Sequence, residues 1–458
     1  MSTKLLNKIP KFLSYGVSIL IFGLIIHFIG INFLQFVVGI GKPWISVLAL
    51  WKEIMIFLLI IWVIYYNIAS YGFKGWLRIL KKDTYFMRLL KGFWIIIAVT
   101  LIASAFSSSL GHYIIAFRYD FVWVVLLLLA YQIAKIIPAA EIKKITKTYL
   151  QIIKWLVWIG LIRYFVISSI PWALKLVGYD KNVYEWALGE KPPAVYYAAL
   201  DHGAPRNQFL WERPIFYGFY LIAFWPFFFL LYLRKASKSE AIFFWILYVL
   251  NIFSTFSRSA WWVWILETTL LAALLYGKFA LKYLKYILIP VVGLGALVGR
   301  KFYYEIFGSG RSFSNTGHIN AFYESLEILK TTWISWLGAW SAGPASHQLG
   351  IGFNPENQYL QIWIEYGIFG FLARLVGYVY LTVNGFIRGG WNKARTYFQD
   401  TQVLHRDNQR LVLLSCNIWL LALAICGLVL HSLADKMVIR PLMLFYGLWL
   451  GYSAPKKD

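Results

Sequence analysis

The sequence predicts an all-α, polytopic integral membrane protein with about 12 transmembrane helices and a large outer loop containing an interfacial helix. Three observations carry this. Of 458 residues, 60% are hydrophobic and only 14% are charged, against about 45–50% and roughly 25% in soluble domains. That excludes a soluble enzyme and a disordered chain. The apolar runs are continuous over the ~20 residues that cross a hydrocarbon core, without the alternation of barrel strands. In lipid such runs form helices, which satisfy every backbone hydrogen bond within the segment. The charges, finally, are unevenly placed along the chain.

In chain order, spanning runs lie near 13–37, 54–69, 92–108, 121–137, 148–169, 214–233, 241–255, 259–277, 283–299, 358–382, 411–430 and 438–453. The segment 31–52 is the least regular, since Pro43 and Trp44 read as the start of a re-entrant or interfacial piece. The basic start (Lys4, Lys8, Lys11) leads into an apolar stretch too long for a signal-peptide core, so no cleaved leader is expected. With the amino terminus inside, the dense clusters Lys74 to Lys91, Lys143 to Lys147 and Arg388 to Arg410 all fall inside, whereas the outer connections are nearly balanced. Twelve spans with both termini cytoplasmic therefore obey the positive-inside rule. The same distribution accounts for the net charge of +24 and removes the case for a nucleic-acid partner. Cys416 and Cys426 share one apolar run; ten residues of helix separate them by about 15 Å, too far for a bridge.

The chain thus reads as one transmembrane helical domain over 1–458. Two long extracytoplasmic connections interrupt it, 169–213 and, before the tenth span, 300–357. Both mix aromatics, glycines, prolines and charges. Within the second, Ile319, Phe322, Leu326, Leu329 and Trp333 recur at helical spacing. They predict a helix from Gly317 to Trp333, capped by Asn315 or Thr316 and lying along the outer membrane surface. Long ordered loops over a helical scaffold are where function tends to reside.

The polar candidates gather there. Glu356 and Asn357 precede the tenth span and Tyr359 follows them; the first two read either as helix caps or as functional groups. Glu365 lies two turns into the membrane, where an acid is usually paired or functional. Gly367 and Gly370 read as points of close helix approach. Arg206 and Arg213 flank a run ending at a span, and Arg258 lies in a connection so short that it must sit near the membrane. There a cation pairs with a local acid such as Glu212 or Asp435, or meets an anion; guanidinium is the preferred bidentate partner of phosphate. Arg311, His318, Glu324, His347, His431 and Asp435 complete the set. His318 reads as a loop hydrogen bonder or a base, and His431 and Asp435 stand one helical turn apart. No spacing suits a metal, and no cofactor is expected.

These residues together resemble the O-antigen ligase and O-antigen polymerase superfamily. The likeness rests on the twelve spans, the large loop before the tenth, the arginine in Ser-Arg-Ser at 257–259, and Asn-x-Tyr-Leu-Gln followed by Glu-x-Gly-x-x-Gly over 357–370. It implies a metal-independent glycosyltransferase-type enzyme in the bacterial cytoplasmic membrane. Such an enzyme transfers an undecaprenyl-diphosphate-linked glycan to a glycan or lipid acceptor at the outer face, as ligase or as polymerase. It further implies that Arg206, Arg258 and the nearby Arg213 hold the carrier diphosphate. Arg311 and His318 would open the loop helix, with Gly338 and Gly343 as its glycine-rich follow-on. Ligases carry histidine, the presumed catalytic residue, where Glu356 stands here. Glu356 is thus the expected base and His318 the alternative, with Asn357 and Tyr359 beside the substrate. Aromatics such as Tyr196, Tyr197, Trp340 and Phe353 would stack on sugars or anchor at the interface. A transporter or flippase of lipid-linked glycans, and a non-catalytic envelope scaffold, remain the other readings. The first would be favoured by broken helices meeting mid-membrane.

Overall fold

The computed structural model describes residues 3–105, 110–166, 214–233, 236–277, 312–332, 353–393, 408–428 and 436–453, with shorter pieces between 206 and 209 and between 334 and 346. All regular structure among them is helical. The α-helices are α1 (Thr3–Leu6), α2 (Ile9–Asn32), α3 (Lys42–Ala49), α4 (Trp51–Lys82), α5 (Thr84–Ala105), α6 (Leu110–Asp120), α7 (Val122–Ile136), α8 (Ala139–Val166), α9 (Pro214–Phe227), α10 (Lys238–Ser254), α11 (Arg258–Tyr276), α12 (Ser312–Thr332), α13 (Gln358–Gly389), α14 (Asn408–Cys426) and α15 (Lys436–Ser453).

Eleven of the expected spans coincide with a described helix; the run 283–299 lies outside the described residues. Among the described residues seven helices are long and apolar enough to cross a membrane, and the bent pair α6–α7 makes an eighth if it is one span. The irregular segment after α2 is a π-helical turn, Phe33–Val37, and then α3, where Trp44 is exposed. Helical structure outruns the apolar runs, as in α4, which breaks at Gly72 (φ 66°) and then continues through Lys74, Arg78 and Lys81.

The main core is one large cluster in which α7, α9, α14 and α15 are the most enclosed helices, with two smaller clusters beside it. The glycines of α15 explain its fit on α7. A Cβ at Gly447 or Gly451 would collide with the Leu127 or Tyr131 carbonyl, so the two backbones touch as small-residue membrane interfaces do. Both cysteines are buried and free.

Two polar ends bound this core. At one end Ser14 donates to Glu141, and Asp83 accepts from Tyr131 and pairs with Lys135; Arg388 lies over the Tyr85 ring. This end includes the basic stretch Lys74 to Lys91. At the other, Arg118 and Arg440 meet Glu53, and Arg374 pairs with Asp120 at 3.1 Å. The second end carries the candidate site.

Candidate functional site

The site end is organised by a break in α13. Gly367 adopts φ 65°, ψ −176° within the helix, a region that side chains strain to enter. The sequence reading of Gly367 as a point of close approach is therefore corrected: it is a kink. The break leaves the carbonyls of Ile364 and Glu365 without their helical partners. The amides of Leu337 and Gly338 take those places, donating at 3.0 and 3.1 Å. Gly338 has φ 98° and Gly343 φ 74°, and a Cβ on Gly343 would run into the Gln361 side chain. The Gly343 amide donates to the Phe353 carbonyl at 2.8 Å, and Ser346 closes the same turn. The loop is thus held on the first half of α13 by backbone groups that would otherwise be orphaned.

Asn357 is the cap of α13, its side-chain Oδ1 accepting from the backbone amides of Tyr359 and Leu360. Its own amide donates to the Leu428 carbonyl at 2.8 Å, and the Tyr359 hydroxyl donates to Ala424 at 2.7 Å. The Gln358 amide donates to Gly427 at 2.9 Å. These bonds fasten the start of α13 to the end of α14. Asn357 and Tyr359, expected beside the substrate, spend these polar groups on the framework. Phe353, a candidate sugar platform, packs beside Leu360 and Ile364.

Glu356 does not share the capping role. It has φ 55°, an uncommon conformation for a residue with a side chain and one that clusters at functional sites. One carboxylate oxygen accepts from the Asn354 amide at 3.3 Å, and the other lies 3.4 Å from Nδ1 of His318. The two expected bases, 38 positions apart in sequence, are one pair. His318 arrives on α12, whose Leu329 is buried with Leu360, Ile364 and Ala342. That helix begins at Ser312, so the expected start at Gly317 is corrected and Asn315 and Thr316 lie inside it rather than capping it. Ile319, Phe322 and Leu326, expected on one face with Leu329, are exposed.

The second element is the turn between α10 and α11. Arg206 is buried; its Nε donates to the Thr255 carbonyl and its Nη2 to Phe256, each at 2.9 Å. Phe256 has φ 48°, so the arginine braces a strained turn. Asn207 reinforces it: its backbone amide donates to Ser254 and its side chain to Ser254 Oγ and the Gly160 carbonyl. Arg258 follows as the first residue of α11, half-buried. Ser257 makes no side-chain cap bond to this helix. The Ser259 hydroxyl meets the Cys426 thiol, so the starts of α11 and α13 abut the same end of α14.

Sequence reasoning missed α6, which bends 56° from α7. Its Asp120 accepts from Tyr366 at 2.7 Å and pairs with Arg374, and Tyr113 and Ala116 pack on Ala339 and Ile362. Its only signal was a polar break, His112 to Asp120, ahead of an apolar run. Glu365 is buried and accepts from Gln361 at 3.1 Å. Arg213, Arg311, Trp340, His347, His431, Asp435, Tyr196 and Tyr197 lie outside the described residues. No cluster of three or more His, Cys, Asp or Glu occurs among the described residues.

Residues 242–375 match the O-antigen ligase family model, so this part of the chain is similar to that family. The matched stretch runs from α10 into α13 and contains Arg258, His318 and Glu356. No curated protein matches the chain.

Proposed function

We propose that the chain is a multi-pass enzyme of the bacterial cytoplasmic membrane that transfers an undecaprenyl-diphosphate-linked glycan to a glycan or lipid acceptor, as ligase or polymerase. The reaction takes place at the extracytoplasmic face. In this reading twelve spans place both termini in the cytoplasm, with 169–213 and 300–357 outside, and the end bearing Glu356 faces outward.

The observation that carries the reading is the Glu356–His318 pair at 3.4 Å, at the same end of the bundle as the start of α11. In the transfer, an acceptor hydroxyl attacks the anomeric carbon as the bond from that carbon to the carrier diphosphate breaks. The hydroxyl proton passes to Nε2 of His318. Glu356, 3.4 Å from Nδ1, orients the ring and steadies the imidazolium. A positioned base of this kind contributes about 10²–10⁴-fold. His318 thus takes the proton and Glu356, at the position of the ligase histidine, orients it. The leaving diphosphate gathers negative charge. Arg258 meets it from the start of α11, whose positive dipole end suits a phosphate. Arg206 is assigned to holding the turn that presents Arg258. Arg213 and Arg311 remain proposed diphosphate ligands. We propose a metal-independent transfer, because arginines and helix ends supply the positive charge that the leaving group needs.

One observation favours the transporter reading, namely the broken helix α13. Its freed carbonyls, however, are filled by the chain's own Leu337 and Gly338, which suits a docked loop better than a transport path. The separating experiment is transfer by purified protein in detergent, with carrier-linked glycan and acceptor supplied together. The wild type should form product. Glu356→Gln should bind carrier at equal expression and lose transfer by about 10²–10⁴-fold. Unchanged transfer by that variant would overturn the assignment of the pair.

A further inference from the structure

A second feature has a lining that includes neither Glu356 nor His318. The walls of α5, α7 and α13 enclose a groove of about 500 Å³, within the range of small-molecule pockets. Its lining is almost wholly apolar, with Trp123 stacked on Tyr378 as part of one wall. Glycines open it. A Cβ on Gly92 would meet nothing within 4 Å, and one on Gly377 would touch only Ile96.

The two ends of the groove differ. One is closed by Arg374 and Asp120, which neutralise each other. The other is lined by Arg88 and Lys91, three positions apart and so on one helix face. Both are exposed, and neither makes a hydrogen bond or ion pair with any described residue. They stand just before the apolar run that starts at residue 92, at the level of the membrane interface. From Arg88 to Ile96 the groove wall rises about 12 Å along α5.

We infer that this groove is a binding site for an anionic phospholipid of the leaflet on the basic side of the bundle. The phosphate sits on Arg88 and Lys91, and one acyl chain lies between α5 and α13 over Gly92. A cationic mouth on an apolar slot selects for headgroup charge and for a chain at once, as basic pockets between membrane helices do. A zwitterionic lipid fills the slot but gains less from the mouth. A soluble phosphate gains from the mouth but leaves the slot unfilled. This site is separate from the proposed transfer chemistry and does not depend on it.

The test is native mass spectrometry of the full-length protein released from micelles holding equal phosphatidylglycerol and phosphatidylcholine. Wild type should retain one phosphatidylglycerol in clear preference. Replacing one cation should weaken that preference about fivefold, and Arg88→Gln with Lys91→Gln about 25-fold, on the usual worth of a basic residue at an anionic surface. Both residues are exposed, so the double variant should fold. Gly92→Leu, which keeps the mouth and fills the slot, should lose retention of either lipid. Equal retention of the two lipids by wild type, or an undiminished preference in the double variant, would overturn the site.

Discussion

Glu356 and His318 reach one point from opposite kinds of support. Glu356 stands on the most tightly tied segment of the site end. Asn357 caps the helix behind it, three further bonds fasten that helix to α14, and the loop amides of Leu337 and Gly338 fill the break at Gly367. His318 rides on a helix most of whose apolar residues are exposed, with Tyr323 62% and Ile319 53% accessible, and which docks through Leu329. The carboxylate is therefore placed by the backbone framework, whereas the imidazole is placed by a short hydrophobic contact, that of Leu329 with Ile328, at the far end of its helix. Disturbing the framework should dislodge both groups. Disturbing the docking should dislodge only one.

The largest effect expected on this comparison comes from Gly367→Val. A β-branched residue at φ 65° is strained by about 1–3 kcal/mol. Relief by straightening α13 would expel the Leu337 and Gly338 amides. Thermal unfolding in detergent should shift down and transfer should fall at least about 100-fold, as expected when the base is misplaced. Leu329→Ala comes next. Removing a buried leucine side chain costs about 2–5 kcal/mol, here charged to the docking of α12. Hydrogen exchange should accelerate across 312–332 while the start of α13 stays protected, and transfer should fall with the exchange. Asn357→Ala is the mildest, at about 1 kcal/mol for a lost cap. It should lower the melting temperature slightly, and Asn357→Asp should restore it.

The helices were legible because a bilayer imposes one requirement on every run, continuous apolar length. Eleven expected runs meet a described helix, seven or eight of them long and apolar enough to span. The same requirement says nothing about α6. Its eleven residues include His112, Arg118 and Asp120, and only the pairing of Asp120 with Arg374 and Tyr366, across some 250 positions, explains why it folds there. The ends of α4 and α12 were misjudged for a related reason, since helix continues past the apolar run even where a glycine intervenes, Gly72 as a break in α4 and Gly317 inside α12. In the site, Glu356 and His318 were each legible as residue types in a suggestive place. Their pairing was not, because no periodicity links positions on separate helices. Arg206 was read as a ligand of an anion, yet two of its donors serve carbonyls of the turn before Arg258. An arginine's partners depend on loop conformation, which a charge pattern does not encode.

The central claim is that Glu356 and His318 act as one unit, and a double-mutant cycle tests it most directly. Glu356→Gln, His318→Ala and the double variant would be compared by kcat/KM for transfer at matched expression. Residues that act as a unit are strongly non-additive. The pair therefore predicts that the double variant loses no more than the worse single variant, within about threefold. Losses that multiply, so that the double variant falls by the product of the two single effects, would mean that each residue acts alone and would contradict the account.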